Sequence, residues 1–207
     1  VDAVQAAGKI VIDFNALGAD TLALAAHKIG GPFGVGALAA GPRATLVRRL
    51  HGGGQERGRR AGAENLSGIA GFGAACEAAA RELDAITAQA AWRDALQARV
   101  EAVGATILGK GAPRLPQTLG FAAAGFDAQM QVMGLDLAGV MVSAGPACSS
   151  GKMKPSDVVA AMGQADLAPF AIRISGGWAS TQADWTRAGD AWLEAYARHS
   201  ARRKEVA

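Results

Sequence analysis

Apolar and polar positions divide this chain into short apolar runs at its front, two long periodic stretches in the middle, and shorter alternating runs behind them. Gly8–Asp13 and Thr21–Ala26 read as strands. Val35–Ala40 reads as a third, reached through a loop with Gly30, Gly31, Gly34 and Gly36. From Ser67 to Leu83 apolar residues recur at spacings of three and four, at Ile69, Phe72, Cys76, Ala79 and Leu83. That period predicts a helix with Cys76 on its buried stripe. A second helix is expected from about Asp84 to Val103, with Ile86, Leu96, Val100 and Val103 as its inner face and Gly104 as its stop.

Behind Gly104 the runs shorten. Residues 106–108, 117–122, 140–143 and 171–175 read as strands. Helices are expected over 127–135 with Asp127 as N-cap, over 155–162 with Ser156 as a possible cap and Gly163 as the stop, and from Gln182 to about His199. Thr181 to Asp184 resembles a capping box ahead of the last helix. The pattern predicts a sheet-centred α/β part at the front and a smaller α+β domain behind it, with the boundary near residues 80–85.

Composition narrows the class. Half of the 207 residues are hydrophobic and 19% are charged, a globular balance. No apolar run approaches the length of a membrane span, so no membrane role is expected. A net charge of +3 is too mild to imply a nucleic-acid partner. Two cysteines, Cys76 and Cys148, make no disulfide framework, and a reducing, cytoplasmic setting is expected. Neither a Cys-x-x-Cys pair nor a His/Asp/Glu cluster has metal-ligand spacing, so no metal is expected.

Four places could carry chemistry. Lys28 ends a strand-like run before the glycine loop. A lysine there suits covalent attachment to a flat carbonyl cofactor, since its amine forms Schiff bases, or it is a solvent-facing lysine on a hairpin. The loop His51–Asn65, with five glycines and three arginines, suits a phosphate or carboxylate, or is a flexible surface loop. Cys148 sits among Gly, Pro, Ala and Ser in a loop from Ser143 to Gly151, as a mobile nucleophile or an incidental thiol. Arg173 is the one charge in an apolar strand, either a carboxylate binder or a strand-edge ion pair. His27 adjoins Lys28, His51 opens the arginine loop, and His199 lies in a basic tail.

Five motifs then occur in one order: Asp2-Ala-Val-Gln5, Ala26-His-Lys-Ile-Gly-Gly-Pro-Phe-Gly-Val-Gly-Ala-Leu38, Gly52-Gly-Gly-Gln-Glu-Arg-Gly-Arg-Arg-Ala-Gly-Ala-Glu-Asn65, Ser143-Ala-Gly-Pro-Ala-Cys-Ser-Ser150 and Ile172-Arg-Ile-Ser175. The series closely resembles cysteine desulfurases of the NifS/IscS type, in the class V aminotransferase group of fold-type I pyridoxal phosphate enzymes. The resemblance covers essentially the whole chain. It implies an α/β fold, with residues 1–82 as the C-terminal part of the cofactor-binding large domain and residues 83–207 as a small α+β domain.

The resemblance also implies roles. Lys28 matches the lysine that holds pyridoxal 5'-phosphate and moves protons; Asp2 matches the partner of the pyridine nitrogen; Gln5 matches the glutamine beside the ring hydroxyl; His27 matches a histidine on the cofactor phosphate. Cys148 matches the mobile cysteine that takes sulfur from L-cysteine as a persulfide, leaving L-alanine, and Arg173 matches the arginine that binds the substrate carboxylate. A homodimer is implied, with an acceptor for the sulfur, either an iron–sulfur scaffold or a thiolation relay. A selenocysteine lyase, another class V relative, and a non-catalytic fragment keeping fold and dimer surface are the competing readings.

This chain departs from the family pattern at three positions. Ala25 and Ala63 stand where the family usually has serine and threonine hydroxyls for the cofactor phosphate, the second across a dimer interface. Pro146 replaces a Ser/Thr in the cysteine loop and should stiffen it. The resemblance places the start of the chain inside the family's large domain, so the phosphate-cradling loop and the ring-stacking histidine are expected ahead of Val1.

Overall fold

Strands β1 (Thr21–Ala25) and β2 (Gly36–Ala40) pair antiparallel, with Ala25 opposite Gly36. Their approach at this end requires glycine: a Cβ on Gly36 would lie 2.6 Å from the Leu24 carbonyl oxygen. The computed structural model that shows this describes residues 1–145 and 155–206. The chain divides into two units, Val1–Asp84 and Ala85–Ala207.

In the first unit, the free edge of β1 takes the start of the chain in a parallel bridge between Asp2 and Ala23. The Ala3 amide donates to the Ala23 carbonyl at 3.0 Å and the Ala23 amide donates to the Val1 carbonyl at 2.9 Å. Both edges of β1 are therefore in use. The expected strand at Gly8–Asp13 is corrected: Gly8 and Lys9 lie in turns held by bonds from Ala6 and Ala7 to Ala3 and from Lys9 and Ile10 to Ala6, and residues 11–13 run on without regular structure. The apolar Ile10 and Val11 join no ladder and stand exposed.

Helix α1 (Leu66–Arg81) starts where the Asn65 side chain accepts from the Gly68 amide at 3.1 Å. It buries Gly68, Phe72 and Ala75. Cys76 is exposed, a correction to its expected place in the core. The periodic stripe is real, but Phe72, Cys76, Ala79 and Leu83 line an open apolar groove of about 420 Å³ with Ile10, Val11 and Leu22.

The second unit begins within α2 (Leu83–Ala102), whose apolar face buries Ile86, Leu96 and Val100 while Val103 remains exposed. Strands β3 (Thr106–Ile107), β4 (Thr118–Ala122), β5 (Ser143–Ala144) and β6 (Ala171–Ser175) make an antiparallel sheet in the order β3-β4-β6-β5. Helices α3 (Ala128–Leu137), α4 (Asp157–Ala161) and α5 (Gln182–Val206) complete the unit. The core gathers Leu96 and Val100 with Leu119, Phe121, Leu135, Ile172, Ile174 and Trp192. Each such fully buried side chain contributes about 1.5–3 kcal/mol. Trp192 meets Phe121 edge-on, ring centres 5.0 Å apart, and stacks on Tyr196.

The helix ends follow the expected chemistry. Asp127 accepts from the Gln129 and Met130 amides, and Ser156 accepts from the Val159 amide. Gly104 closes α2, with its own amide bonded to the Glu101 carbonyl and the Ala105 amide bonded to the Val100 carbonyl. The same closure at Gly139 corrects the expected strand at 140–143. The Val140 amide donates to the Leu135 carbonyl at 2.8 Å, so Val140 belongs to the end of α3 and β5 begins only at Ser143.

Candidate active site

Lys28 is the last residue of a single 3-10 turn, Ala26–Lys28, that follows β1. The turn is anchored by Ala26, which is fully buried. The Ala26 carbonyl accepts from the Ile29 and Gly31 amides, and its own amide donates to the Val35 carbonyl. A Cβ on Gly31 would fall 2.9 Å from that of Ala26 and 3.2 Å from that of Ala75, so the glycine loop is drawn tightly over the turn. The backbone of Lys28 is thus fixed. Its side chain is exposed, and its amine has no hydrogen bond or ion pair among the described residues.

Lys9 reaches the same turn from the other side. Its ammonium donates to the Lys28 carbonyl at 3.0 Å and to the Ala7 carbonyl at 3.2 Å. Burial, and then the charge of Lys28, hold the Lys9 amine below the ordinary lysine range.

Asp2 is held beside β1 by its bridge to Ala23, five residues before Lys28. One carboxylate oxygen accepts from the Val4 amide at 2.9 Å. The exposed Gln5 has no partner among the described residues. His27 is exposed and stacks on Phe33, ring centres 5.3 Å apart. The first unit therefore places Asp2, Gln5, His27 and Lys28 at one strand and the turns flanking it.

The arginine loop is built on itself. Arg48 donates to the Leu50 and Gly52 carbonyls, and Arg60 donates to the Gly62 carbonyl. Arg57 and Arg59 are exposed, without a partner among the described residues. Glu56 and Arg57 both hold left-handed backbone, with φ of 51° and 56°. Two such residues in succession are strained, as is common where a loop is shaped for a ligand.

In the second unit Arg173 occupies the middle of β6, between Gly120 of β4 and Ser143 of β5. Directly opposed residues share a face, so glycine at 120 sets no side chain against Arg173 on that strand, and the space over it is bounded by Leu108. Burial alternates: Ile172 and Ile174 point into the core, Arg173 and Ser175 away from it. Arg173 has no ion pair among the described residues, so its guanidinium is open to a ligand. Cys148 and Pro146 lie outside the described residues.

Cys76 is the other thiol. The apolar groove pushes it up from the usual thiol range, which disfavours a thiolate there. Among the described residues no group of His, Cys, Asp and Glu could hold a metal ion, and no helix is long and apolar enough to cross a membrane.

Gln89, Arg93 and Gln131 are buried polar residues that the sequence reading did not single out. Gln89 and Arg93 fall three and seven residues after Ile86, on the stripe that continues to Leu96 and Val100. That spacing is the signal by which they could have been found.

The mixed α/β architecture matches that of NifS-like, fold-type I pyridoxal phosphate structures. Residues 1–187 match the aminotransferase class-V family, and the chain belongs to that family. It is similar to a protein of Dictyoglomus turgidum named cysteine desulfurase IscS, at 39% identity over 187 residues, 88% of this chain and 48% of the relative. It is also similar to a solved NifS-like protein, with a TM-score of 0.81 and 31% identity over 95% of this chain and 51% of the other. A NifS-like protein of Rickettsia africae gives a TM-score of 0.76 and 33% identity over 94% of this chain and 52% of the other. The chain thus spans about half the length of the relatives it matches.

The chemistry of the donor set fits the reactive side of pyridoxal phosphate. An amine without a partner among the described residues, a carboxylate and an amide side chain suit a carbonyl carbon, a ring nitrogen and a ring hydroxyl. For the phosphate, the described candidates are His27, Arg57 and Arg59, with alanine at positions 25 and 63.

Proposed function

We propose that this chain is the lysine- and cysteine-bearing part of a pyridoxal-phosphate-dependent cysteine desulfurase. Lys28 carries the reading: an amine without a partner among the described residues, on an anchored turn beside the strand that holds Asp2, in a class-V chain whose relatives are named cysteine desulfurases. Pyridoxal phosphate, when bound, supplies an electrophilic carbonyl and an electron-accepting ring.

Lys28 is the point of covalent attachment and, once freed, the base that takes the substrate α-proton. Asp2 keeps the ring nitrogen protonated, Gln5 meets the ring hydroxyl, and His27 serves the phosphate. Arg173 binds the carboxylate of L-cysteine through its planar fork. The Cys148 thiolate attacks the substrate sulfur. An S–S bond forms from the thiolate lone pair as the Cβ–S bond breaks, and the electron pair of the broken bond stays with carbon and is protonated. The products are L-alanine and a Cys148 persulfide, whose outer sulfur passes to the thiol of an acceptor protein, either an iron–sulfur scaffold or a thiolation relay.

A homodimer accords with the large apolar side chains exposed on the first unit, among them Phe33, Val47 and Leu66. A nucleophilic Cys148 needs a reducing compartment, which favours the cytoplasm.

Borohydride reduction after incubation with pyridoxal phosphate, followed by peptide mapping, tests the cofactor. The label is expected on the Lys28 peptide and absent from Lys28→Ala. With L-cysteine, Cys148→Ser is expected to keep the label and form no protein persulfide. An unlabelled Lys28 overturns the cofactor reading, and a labelled protein that forms no alanine from L-cysteine overturns the desulfurase.

A further inference from the structure

We infer that two buried glutamine–tryptophan pairs, Gln89–Trp185 and Gln131–Trp192, act as positioning residues that clamp both ends of β6 and so aim Arg173. The inference rests on the reading of Arg173 as the carboxylate-binding residue.

Gln131, on α3, is fully buried. Its amide nitrogen donates to the Phe126 carbonyl at 2.7 Å and to the Phe170 carbonyl at 2.9 Å, and its amide oxygen accepts from the Trp192 indole at 2.8 Å. Phe170 immediately precedes β6. Gln89, on α2, is 1% exposed. Its nitrogen donates to the Gly177 carbonyl at 2.8 Å and its oxygen accepts from the Trp185 indole at 3.1 Å. Gly177 stands just beyond the other end of β6.

The two arrangements have the same construction. Each runs from an indole of α5 to a glutamine and on to a backbone carbonyl. Trp185 and Trp192 are seven residues apart, two helical turns, so both indoles leave one face of α5. Phe170 and Gly177 are also seven apart, and Arg173 lies between them. One helix face thus fixes both ends of one strand.

Apolar packing alone would fill this space without burying amide groups. Hydrogen bonds in a low-dielectric interior add direction, and a partly satisfied set is costly enough to exclude neighbouring positions. The exit of β6 is tight as well. The Gly176 amide donates to the Gln117 carbonyl at 2.9 Å, and a Cβ on Gly176 would come within 2.1 Å of Gln89 Oε1. Among the described residues Arg173 has no side-chain partner, so the position of its backbone sets the point from which the guanidinium reaches. Small misplacements of a binding group are expensive in recognition.

The test uses the protein carrying this chain with its cofactor bound. It measures L-alanine affinity by calorimetry, and KM and kcat for L-cysteine. The variants are Arg173→Gln, the paired changes Gln89→Leu/Trp185→Phe and Gln131→Leu/Trp192→Phe, and each pair combined with Arg173→Gln. The paired changes leave no indole or glutamine orphaned and free only backbone carbonyls, of Gly177 in one pair and of Phe126 and Phe170 in the other. Each pair is expected to weaken L-alanine binding and raise KM about tenfold with kcat within about twofold, and to add nothing in the Arg173→Gln background.

Weakening by Arg173→Gln without weakening by either pair overturns the clamp and leaves Arg173 standing. Weakening by the pairs that adds fully to that of Arg173→Gln also overturns it. Unchanged affinity in Arg173→Gln overturns the reading of Arg173, and the inference with it. The two pairs hold opposite ends of β6, so a folding failure in one leaves the other to decide.

Discussion

Arg173 on β6 lies directly across the sheet from Ser143 on β5. Ser143 begins β5, and Cys148 follows it by five residues in the sequence. The register of two strands therefore ties the proposed carboxylate-binding residue to a strand five residues ahead of the proposed nucleophile. Arg173→Gln is expected to raise KM for L-cysteine by about 10- to 100-fold, the range for losing a charge-assisted hydrogen bond. Arg173→Lys should recover little of it, because a point charge does not replace the planar fork. Steady-state kinetics on both variants would decide; a Lys variant with wild-type KM would argue against bidentate recognition.

Gly120 faces Arg173 from the other neighbouring strand. A Cβ there would meet Leu108 at 3.7 Å, so Gly120→Val should crowd the space between Leu108 and Arg173 while leaving the Leu119 and Phe121 face of β4 untouched. The expected result is a raised KM with a melting temperature that falls little. A large loss of stability with unchanged KM would show that Gly120 serves the strand and not the arginine.

The start of α5 gives a pH-dependent prediction. The Asp184 carboxylate accepts from the Thr181 amide and hydroxyl at 2.8 Å each, and the Asp184 amide donates back to that hydroxyl at 3.3 Å. The bonds from Thr181 hold the Asp184 carboxyl below its ordinary range. A depressed carboxyl stabilises the fold above its unfolded value and loses that contribution as pH falls through the folded value. Asp184→Asn should therefore flatten the dependence of Tm on pH below about pH 4. Thr181→Ala should lower Tm by about 2–4 °C at neutral pH.

Gly176 offers a stability test of the β6 exit. Gly176→Ala forces a methyl against a glutamine that is already bonded at both ends of its amide. Overpacking of this kind costs about 1–3 kcal/mol, readable in chemical denaturation. A neutral Gly176→Ala would mean that Gln89 moves freely.

The two thiols should separate by chemistry. Partial desolvation by the apolar groove raises the exposed Cys76 thiol, so its alkylation at neutral pH is expected to be slow and to accelerate as pH rises past the ordinary thiol range. Peptide-resolved alkylation rates in Cys148→Ser would show it. Fast labelling of Cys76 at pH 7 would contradict the apolar surroundings.

The signals that were legible in the sequence are local ones. Asp127, Ser156 and the Thr181–Asp184 box announce helix starts because their partners lie two or three residues away. Gly104 announces an end because a left-handed closing residue favours glycine. The period of three and four found α1 and α2, and β6 was placed at its observed bounds. Gly8–Asp13 misled because an apolar run does not reveal that local turn bonds, such as those of Lys9 and Ile10 to Ala6, take up its backbone. Val140 misled because the same apolar residue can open a strand or close a helix. Within the candidate site, Lys28 and Arg173 stood out by their type and neighbours. Gln89 and Gln131 did not, because the carbonyls at β6 that they hold lie 88 and 39 residues away. Lys9 gave no signal either, since its role depends on a turn that only the fold creates.

Lys9 turns the neighbourhood of Lys28 into a readable gauge. Its ammonium rests on the Lys28 carbonyl, and the charge of Lys28 lowers its basicity. Whenever Lys28 surrenders its charge, Lys9 should hold its proton more tightly. A titration of the Lys9 ε-methylene by nuclear magnetic resonance would then follow the electrical state of Lys28 from outside the chemistry, without a label on the residue that reacts.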